Sequence, residues 1–246
     1  MHTKHQHSGP RTLSDLLDSY QATGRYIVTR QQALGTLGVS DEALKKAVQR
    51  LTAKRRLAVP RRGFLVIVPV EYRDAGAPPP SWFIDEFMKF CGQPYYVGLL
   101  TAAALHGAGH QQPQEFQVVT NAQFRPAVAG RARIRFFQKL HTERTPTVVM
   151  KTETGAMHVS TPEATALDLL RYLEAAGHFG NVTTVLAELA EKIDAHRVAE
   201  VAKLEGELSN AQRLGHLLDQ VGAGEIAEEL AESVSKNRVA PKLATG

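Results

Sequence analysis

The sequence predicts an α+β protein with an N-terminal winged helix-turn-helix domain and a larger mixed α/β C-terminal domain that ends in helices. Three observations lead to this prediction. Capped helical patterns at the start of the chain run into a cationic hairpin. A stretch with three consecutive prolines then separates this part from the remainder. In the remainder, β-like segments come first and helical patterns follow.

Length and composition place the chain among ordinary globular proteins. With 246 residues, of which 43% are hydrophobic and 22% charged, it has room for two domains with separate cores. No apolar run approaches the ~20 residues of a membrane span, and the first ten residues lack the apolar core of a signal peptide. The lone Cys91 excludes an intrachain disulfide and a cysteine-based zinc site, and it fits a reducing cytoplasm. We therefore expect a cytoplasmic protein with no membrane partner.

The net charge of +4 hides a strong asymmetry along the chain. Residues 1–70 carry +8, whereas residues 71–246 carry −4. Within the second part, residues 121–151 carry +6 and residues 152–246 carry −7. Such blocks predict a basic nucleic-acid module joined to a domain with a different partner.

Three helices are predicted before the hairpin. The first has an apolar stripe at helical spacing, formed by Leu13, Leu16, Leu17 and Tyr20. Thr29 is the expected N-cap of the second helix, and Gly38 should end it in the left-handed conformation. Ser40 should cap the third helix, whose buried stripe is Leu44, Val48 and Leu51. The spacing Leu34-x-x-x-Gly38-Val39-Ser40 is typical of the corner of a helix-turn-helix.

The third helix and the segment after it form a cationic stretch. Between Lys45 and Arg62 there are eight Lys or Arg residues and no Asp or Glu. Residues 57–59 and 64–68 are predicted strands around a four-residue wing turn, Pro60-Arg61-Arg62-Gly63. The candidate DNA-binding residues are Ser40, Lys45, Lys46, Gln49, Arg50, Lys54, Arg55, Arg61, Arg62 and Gly63. Gln49 suits adenine and Arg50 suits guanine or phosphate, but a merely solvated face stays an alternative for each side chain.

Residues 1–10 are predicted to be a flexible tail and 11–73 the winged domain. Residues 74–81 are the expected linker, 82–240 the C-terminal domain and 241–246 a second tail. In the C-terminal domain, residues 82–90 and 95–106 are predicted helices, and three segments are predicted strands: 116–120, 132–137 and 147–151. Thr161 and Pro162 should begin a helix, and further helical patterns cover about residues 182–193, 195–207, 210–221 and 224–236.

Three arginines alternate with apolar residues on the middle predicted strand. A period of two would place Arg131, Arg133 and Arg135 on one face. This arrangement predicts a second polyanion-facing surface, for DNA or for an acidic protein site. An ordinary half-solvated strand explains the pattern equally well.

Neither a metal site nor a catalytic site is predicted. His106 and His110 have i, i+4 spacing, but the intervening Glu of a zinc protease is missing, and Gly107 and Gly109 interrupt the helix. The strand region has no paired carboxylates for phosphoryl transfer, and no glycine-rich phosphate loop occurs. We therefore expect no metal, no cofactor and no enzymatic activity.

A family resemblance adds to this interpretation. Tyr95-Tyr96-Val97-Gly98-Leu99-Leu100-Thr101-Ala102-Ala103-Ala104-Leu105-His106-Gly107, continuing to Gln111-Gln112-Pro113-Gln114 and Phe116-Gln117-Val118-Val119, resembles the AbiEi antitoxins of bacterial type IV toxin–antitoxin systems. The Arg62-Gly63-Phe64 wing and the segment 160–170 are similar to further parts of that family. The resemblance covers roughly residues 11–240.

The resemblance implies two functions. The winged domain would bind inverted repeats in the promoter of its own operon, and the second domain would counter a cognate toxin resembling a nucleotidyltransferase. Whether antitoxin and toxin touch, and whether the chain acts as a monomer or a dimer, stays open. The alternatives are a winged-helix repressor with a ligand-sensing C-terminal domain and no toxin partner, and a nuclease or nucleotide-transferring enzyme.

Overall fold

The computed structural model describes residues 10–109, 113–206 and 208–239, so that nearly all of both predicted tails, as well as His110, Gln111 and Gln112, lie outside the described residues. The chain forms two compact units. The first comprises the described part of Met1–Gly92 together with Pro126–Ile134 and Lys151–Met157. The second comprises the described parts of Gln93–Arg125, Arg135–Met150 and His158–Gly246. The fold is mixed α+β, as predicted.

The first unit begins with the three helices that the sequence predicts, α1 (Leu13–Ala22), α2 (Arg30–Leu37) and α3 (Asp41–Ala53). Each has a side-chain N-cap: Thr12, Thr29 and Ser40 accept backbone N–H bonds of the first turn. Gly38 ends α2 with φ 61°, in the left-handed region that glycine adopts without a Cβ clash. The predicted caps at Thr29 and Ser40 and the predicted end of α2 at Gly38 are confirmed, since capping chemistry is local in sequence.

Three strands form a small antiparallel sheet in this unit. They are β1 (Ile27–Thr29), β2 (Leu57–Arg61) and β3 (Phe64–Ile67), in the order β1-β3-β2. The predicted four-residue wing turn is wrong, because Arg61 pairs with Phe64 and only Arg62 and Gly63 lie between the strands. Pro60 lies where the pairing register shifts between Ala58 and Arg61. A proline has no N–H for the ladder, so it fits such an irregularity.

Two apolar clusters hold the first unit together. One consists of leucines from α1 and α3, Ala33 of α2, Val28 of β1, and residues of β2 and β3. The other centres on Phe64, whose ring lies within 6.5 Å of the rings of Phe83, Phe87 and Phe90. Phe87 and Phe90 belong to α4 (Ile84–Cys91). Residues 82–92, which the sequence assigns to the C-terminal domain, thus fall in the first compact unit, while the functional domain boundaries stay a prediction.

The larger sheet has six strands in the order β6-β7-β5-β4-β9-β8. Their bounds are β4 (Tyr95–Val97), β5 (Phe116–Thr120), β6 (Ala127–Ala129), β7 (Ala132–Gln138), β8 (Thr147–Thr152) and β9 (Gly155–Ser160). Three of these strands, β5, β7 and β8, are those that the sequence predicts. Strands β6 and β9 were not predicted, because β6 has only three residues and β9 includes Gly155, His158 and Ser160 among its six.

The predicted helix over residues 95–106 is wrong in its first turn. Tyr95, Tyr96 and Val97 form β4, which pairs antiparallel with β5 and parallel with β9. Aromatic and β-branched residues favour a strand, and two neighbouring strands satisfy its backbone. Gly98 is the N-cap of α5 (Leu99–Leu105). A Cβ at Gly98 would lie 2.9 Å from the Val119 side chain.

Helices follow the sheet, as predicted. They are α6 (Pro162–Arg171), α7 (His178–Leu189), α8 (Ala195–Glu205), α9 (Leu208–Gln220) and α10 (Gly224–Val239). Thr161 caps α6 through the Ala164 N–H, and Pro162 takes the first helical position. Helix α6 is buried along almost its whole length and lies in the core of the second unit. Short 3-10 turns occur at Val70–Tyr72, Pro80–Trp82, Thr142–Arg144 and Ala190–Lys192.

Candidate functional site

The exposed side of α3 carries four of the predicted DNA-binding residues. Leu44 and Leu51 are 2% and 6% exposed and anchor the opposite side in the core. Lys45, Lys46, Gln49 and Arg50 are all exposed. Lys45 lies four residues before Gln49, and Lys46 lies four residues before Arg50, which places the four side chains on one helical face. Ser40 is used by its own helix: its Oγ accepts the Ala43 N–H at 3.3 Å.

Charges around α3 are partly compensated. Arg30 forms an ion pair with Asp41 in the first turn of α3. At the other end, Lys54 is the C-cap and Arg55 takes φ 52°, and both are exposed. Arg56 differs from them, because it donates a hydrogen bond to Ser14 Oγ at 2.7 Å and pairs with Asp18. Arg56 therefore connects α1 to the start of β2, and Lys54 and Arg55 are the cations of this cluster that lie at the surface.

The hairpin of β2 and β3 presents Arg61 and Arg62 at the surface. Gly63 has φ 88°, and its carbonyl oxygen accepts the Arg30 N–H at 2.8 Å, which fixes the hairpin to the start of α2. Arg61 also interacts with the Cys91 thiol. Burial raises the pKa of Cys91, and the nearby Arg61 charge partly opposes that rise.

The three alternating arginines are all exposed, but they do not form one uniform set. Arg131 and Arg133 belong to the first compact unit and Arg135 to the second. Arg135 is paired with Glu115 at 3.4 Å and lies over the Phe137 ring, 5.2 Å from its centroid. The charge of Arg135 is thus partly neutralised.

The second unit contains an ionic cluster that the sequence does not predict. Lys139 Nζ lies 2.8 Å from Asp168 Oδ1 and 2.7 Å from Glu205 Oε1, and all three side chains are at most 2% exposed. The Tyr96 hydroxyl donates to Asp168 at 2.7 Å, and Thr145 donates to Glu205 at 2.9 Å. The bonded partners lie 29 to 72 residues apart along the chain, so no sequence motif could have revealed the cluster.

Burial sets the protonation behaviour of this cluster. It raises the pKa of Glu205, and the neighbouring Asp168 charge raises it further, against the attraction of Lys139. Burial and Asp168 also raise the pKa of the Tyr96 hydroxyl, which therefore remains a donor throughout the physiological range. No donor among the described residues reaches Glu205 Oε2. The carboxylates of Asp168 and Glu205 share the one ammonium of Lys139, so the ionisation of Glu205 costs free energy.

Beside the cluster lies a cleft of about 450 Å³. Its lining is mostly polar and consists of Gln138, Lys139, Leu140, His141, Arg144, Arg171 and Glu205. The imidazole Nε2 of His106 lies 2.7 Å from the Ser160 carbonyl oxygen. Over the described ranges, no group of three or more His, Cys, Asp or Glu residues could hold a metal ion.

Fold and site together define a two-unit α+β protein whose first unit carries a cationic helix and a cationic hairpin. The family model of the AbiEi antitoxin C-terminal domain matches residues 96–220, just over half of the chain. The chain belongs to the AbiEi antitoxin family, which confirms the predicted family.

A crystal structure of the RV2827C protein from Mycobacterium tuberculosis is similar in fold, with a TM-score of 0.66 and 16% sequence identity. The similarity covers 92% of this chain and 82% of that one. A search of curated proteins finds no match. In the parts of the chain that the structure describes, no helix has the length and apolar character needed to cross a bilayer.

Proposed function

We propose that the chain is an autoregulating antitoxin: it binds inverted repeats in its own promoter through a winged helix-turn-helix and neutralises a cognate nucleotidyltransferase-like toxin. The main supporting observation is that one compact unit displays an exposed cationic helix face together with a cationic hairpin. We infer cytoplasmic action without a cofactor, a membrane partner or enzymatic activity.

The order of elements in the first unit supports the winged-helix interpretation. Helices α1, α2 and α3 precede the hairpin of β2 and β3, and β1 between α1 and α2 completes the sheet. In such modules the helix after the turn enters the major groove, and flanking elements contact the backbone. Helix α3 follows the turn at Gly38 directly, so it is the recognition helix in this proposal.

The proposal divides the candidate residues by role. Gln49 would bond to adenine in a bidentate manner, and Arg50 would contact guanine or phosphate. Lys45, Lys46, Lys54 and Arg55 would bind phosphates, as would Arg61 and Arg62. Ser40 and Gly63 act indirectly, since Ser40 caps the recognition helix and Gly63 shapes the hairpin tip.

Titration of the full chain with its own promoter DNA at several salt concentrations tests DNA binding. Six phosphate contacts would give a slope of log affinity against log salt of about −5. Arg61→Ala with Arg62→Ala should weaken binding to every sequence, whereas Gln49→Ala should change the preference among sequences. Arg197→Ala, an exposed change on α8, is the matched control. A slope near zero would rule the proposal out.

Neutralisation of the toxin needs a separate test. The gene beside the coding sequence should encode a nucleotidyltransferase-like protein that stops growth when expressed alone. Co-expression of the full chain should restore growth, and it should do so when Arg61 and Arg62 are both alanine and the genes are driven from a foreign promoter. Failure of the wild-type chain to restore growth would contradict the antitoxin function and leave only the proposed repressor function.

A second candidate is a repressor whose C-terminal domain senses a ligand. The cleft of about 450 Å³ beside Lys139 and Glu205 favours it, because a cleft of this size can hold a small molecule. It predicts that a metabolite changes operator affinity while no neighbouring gene encodes a toxin.

A further inference from the structure

A hairpin from the middle of the chain is part of the first compact unit. Residues 126–134 contain β6 and the start of β7, and they follow the wing by more than sixty residues. Strand β6 lies against β2, the strand that leads to Arg61. The hairpin of β6 and β7 is therefore next to the proposed wing in space, although it is distant in sequence.

Backbone contacts fix this hairpin closely to the unit. Gly130 at its tip has φ 57°, and a Cβ there would lie 2.2 Å from the Ala75 carbonyl oxygen. The same oxygen accepts the Arg131 N–H at 2.8 Å. Only glycine permits an approach this close, so the tip has a defined position against residues 75–77.

The register of the hairpin separates its apolar side from its charged side. Ala127 pairs with Ile134 and Ala129 with Ala132, and Ala127, Ala129 and Ile134 are buried. Val128 pairs with Arg133 in the alternate register, and both are exposed. Arg131 and Arg133 thus point away from the core, and the segment 126–134 has no acidic residue. An exposed pair of cations next to another cationic hairpin suits a polyanion.

We propose that Arg131 and Arg133 contact the phosphate backbone of the operator as an accessory DNA-binding hairpin that extends the surface of the wing. The inference rests on the proposed DNA-binding function of the first unit. It assigns these two arginines to DNA and not to the toxin, and it leaves out Arg135, which Glu115 holds in the second unit.

The test measures operator affinity of the full chain as a function of salt. Each phosphate contact contributes about 0.9 to the slope, so Arg131→Ala with Arg133→Ala should reduce its magnitude by about 2. The same relation gives a loss of about 30-fold in affinity at 0.15 M salt. The preference for the operator over a scrambled duplex should stay within about twofold, because phosphate contacts do not read bases.

Control and comparison variants distinguish the possible outcomes. Arg197→Ala should leave affinity and slope unchanged.

If the Arg131/Arg133 variant binds the operator as tightly as wild type while the Arg61/Arg62 variant is weakened, this inference alone is overturned. If wild type fails to bind, or the Arg61/Arg62 variant binds normally, the proposed function fails as well. A loss confined to toxin neutralisation, or an equal loss in Arg135→Ala, would also overturn the assignment. Thermal unfolding of each variant checks that folding is intact.

Discussion

Lys139 Nζ lies 2.8 Å from Asp168 Oδ1 in the second unit, and these side chains are 2% and 0% exposed. The ion pair joins the residue that follows β7 to the buried helix α6. Glu205, at the end of α8, binds the same ammonium. The buried Lys139 ammonium thus contacts carboxylates from two different helices. An ion pair at the surface would contribute little to stability.

Removal of this ammonium should be strongly destabilising. In Lys139→Met, Asp168 and Glu205 would be left buried without a cation, and we expect a loss of about 3–5 kcal/mol in the free energy of unfolding. Urea denaturation of the full chain measures it. Adding Asp168→Asn and Glu205→Gln should recover part of the loss. A single-variant loss under about 1 kcal/mol would mean that the cluster is open to solvent.

Glu205 should make stability depend on pH. Its pKa is raised above the ordinary value of 4.5, so the folded chain holds this proton more tightly than the unfolded chain does. The resulting stabilisation is complete below pH 4.5 and is lost as pH rises through the folded pKa. Relative to Glu205→Gln, wild type should therefore become less stable as pH increases. Urea midpoints of both proteins from pH 4 to pH 8 test this sign; a difference that grows in favour of wild type contradicts it.

Two glycines of the proposed helix-turn-helix should respond to alanine in opposite directions. Gly35 lies inside α2, and Gly38 ends that helix at φ 61°; a Cβ at either position meets no atom within 4 Å. Gly35→Ala should stabilise by about 0.5–1 kcal/mol through helix propensity. Gly38→Ala should destabilise by about 1–2 kcal/mol through the left-handed backbone. Thermal unfolding distinguishes them, and changes of the same sign would contradict this account.

Phe64 should be essential to the first unit. It is fully buried on β3, and its ring packs against Phe87 of α4 at 5.2 Å in an edge-to-face arrangement. Phe64→Ala should cost about 3–5 kcal/mol. Phe179→Ala, at a phenylalanine that is 52% exposed, is the matched control and should stay within about 0.5 kcal/mol. Similar losses in calorimetry would argue against this core.

Predictions that depend on local capping chemistry were confirmed, whereas two predictions that depend on strand pairing were wrong. The caps at Thr29, Ser40 and Thr161 depend on bonds spanning three residues, and the structure has each where the sequence predicts it. The turn at residues 60–63 and the first turn of the predicted helix at residue 95 were wrong. At the turn, the close pairing of Arg61 with Phe64 shortened the loop to two residues. At residue 95, pairing with strands that are distant in sequence decided the backbone.

The sequence by itself determined the helices of the first unit, the cationic character of α3 and the hairpin after it, and membership of the AbiEi family. Periodicity, capping and charge are properties of neighbouring residues, so they can be read directly. Tertiary structure alone decided that Lys139 meets Asp168 and Glu205, and that Arg131 and Arg133 join the first unit while Arg135 does not. Those relationships depend on strand order and burial, which bring together groups from distant parts of the chain.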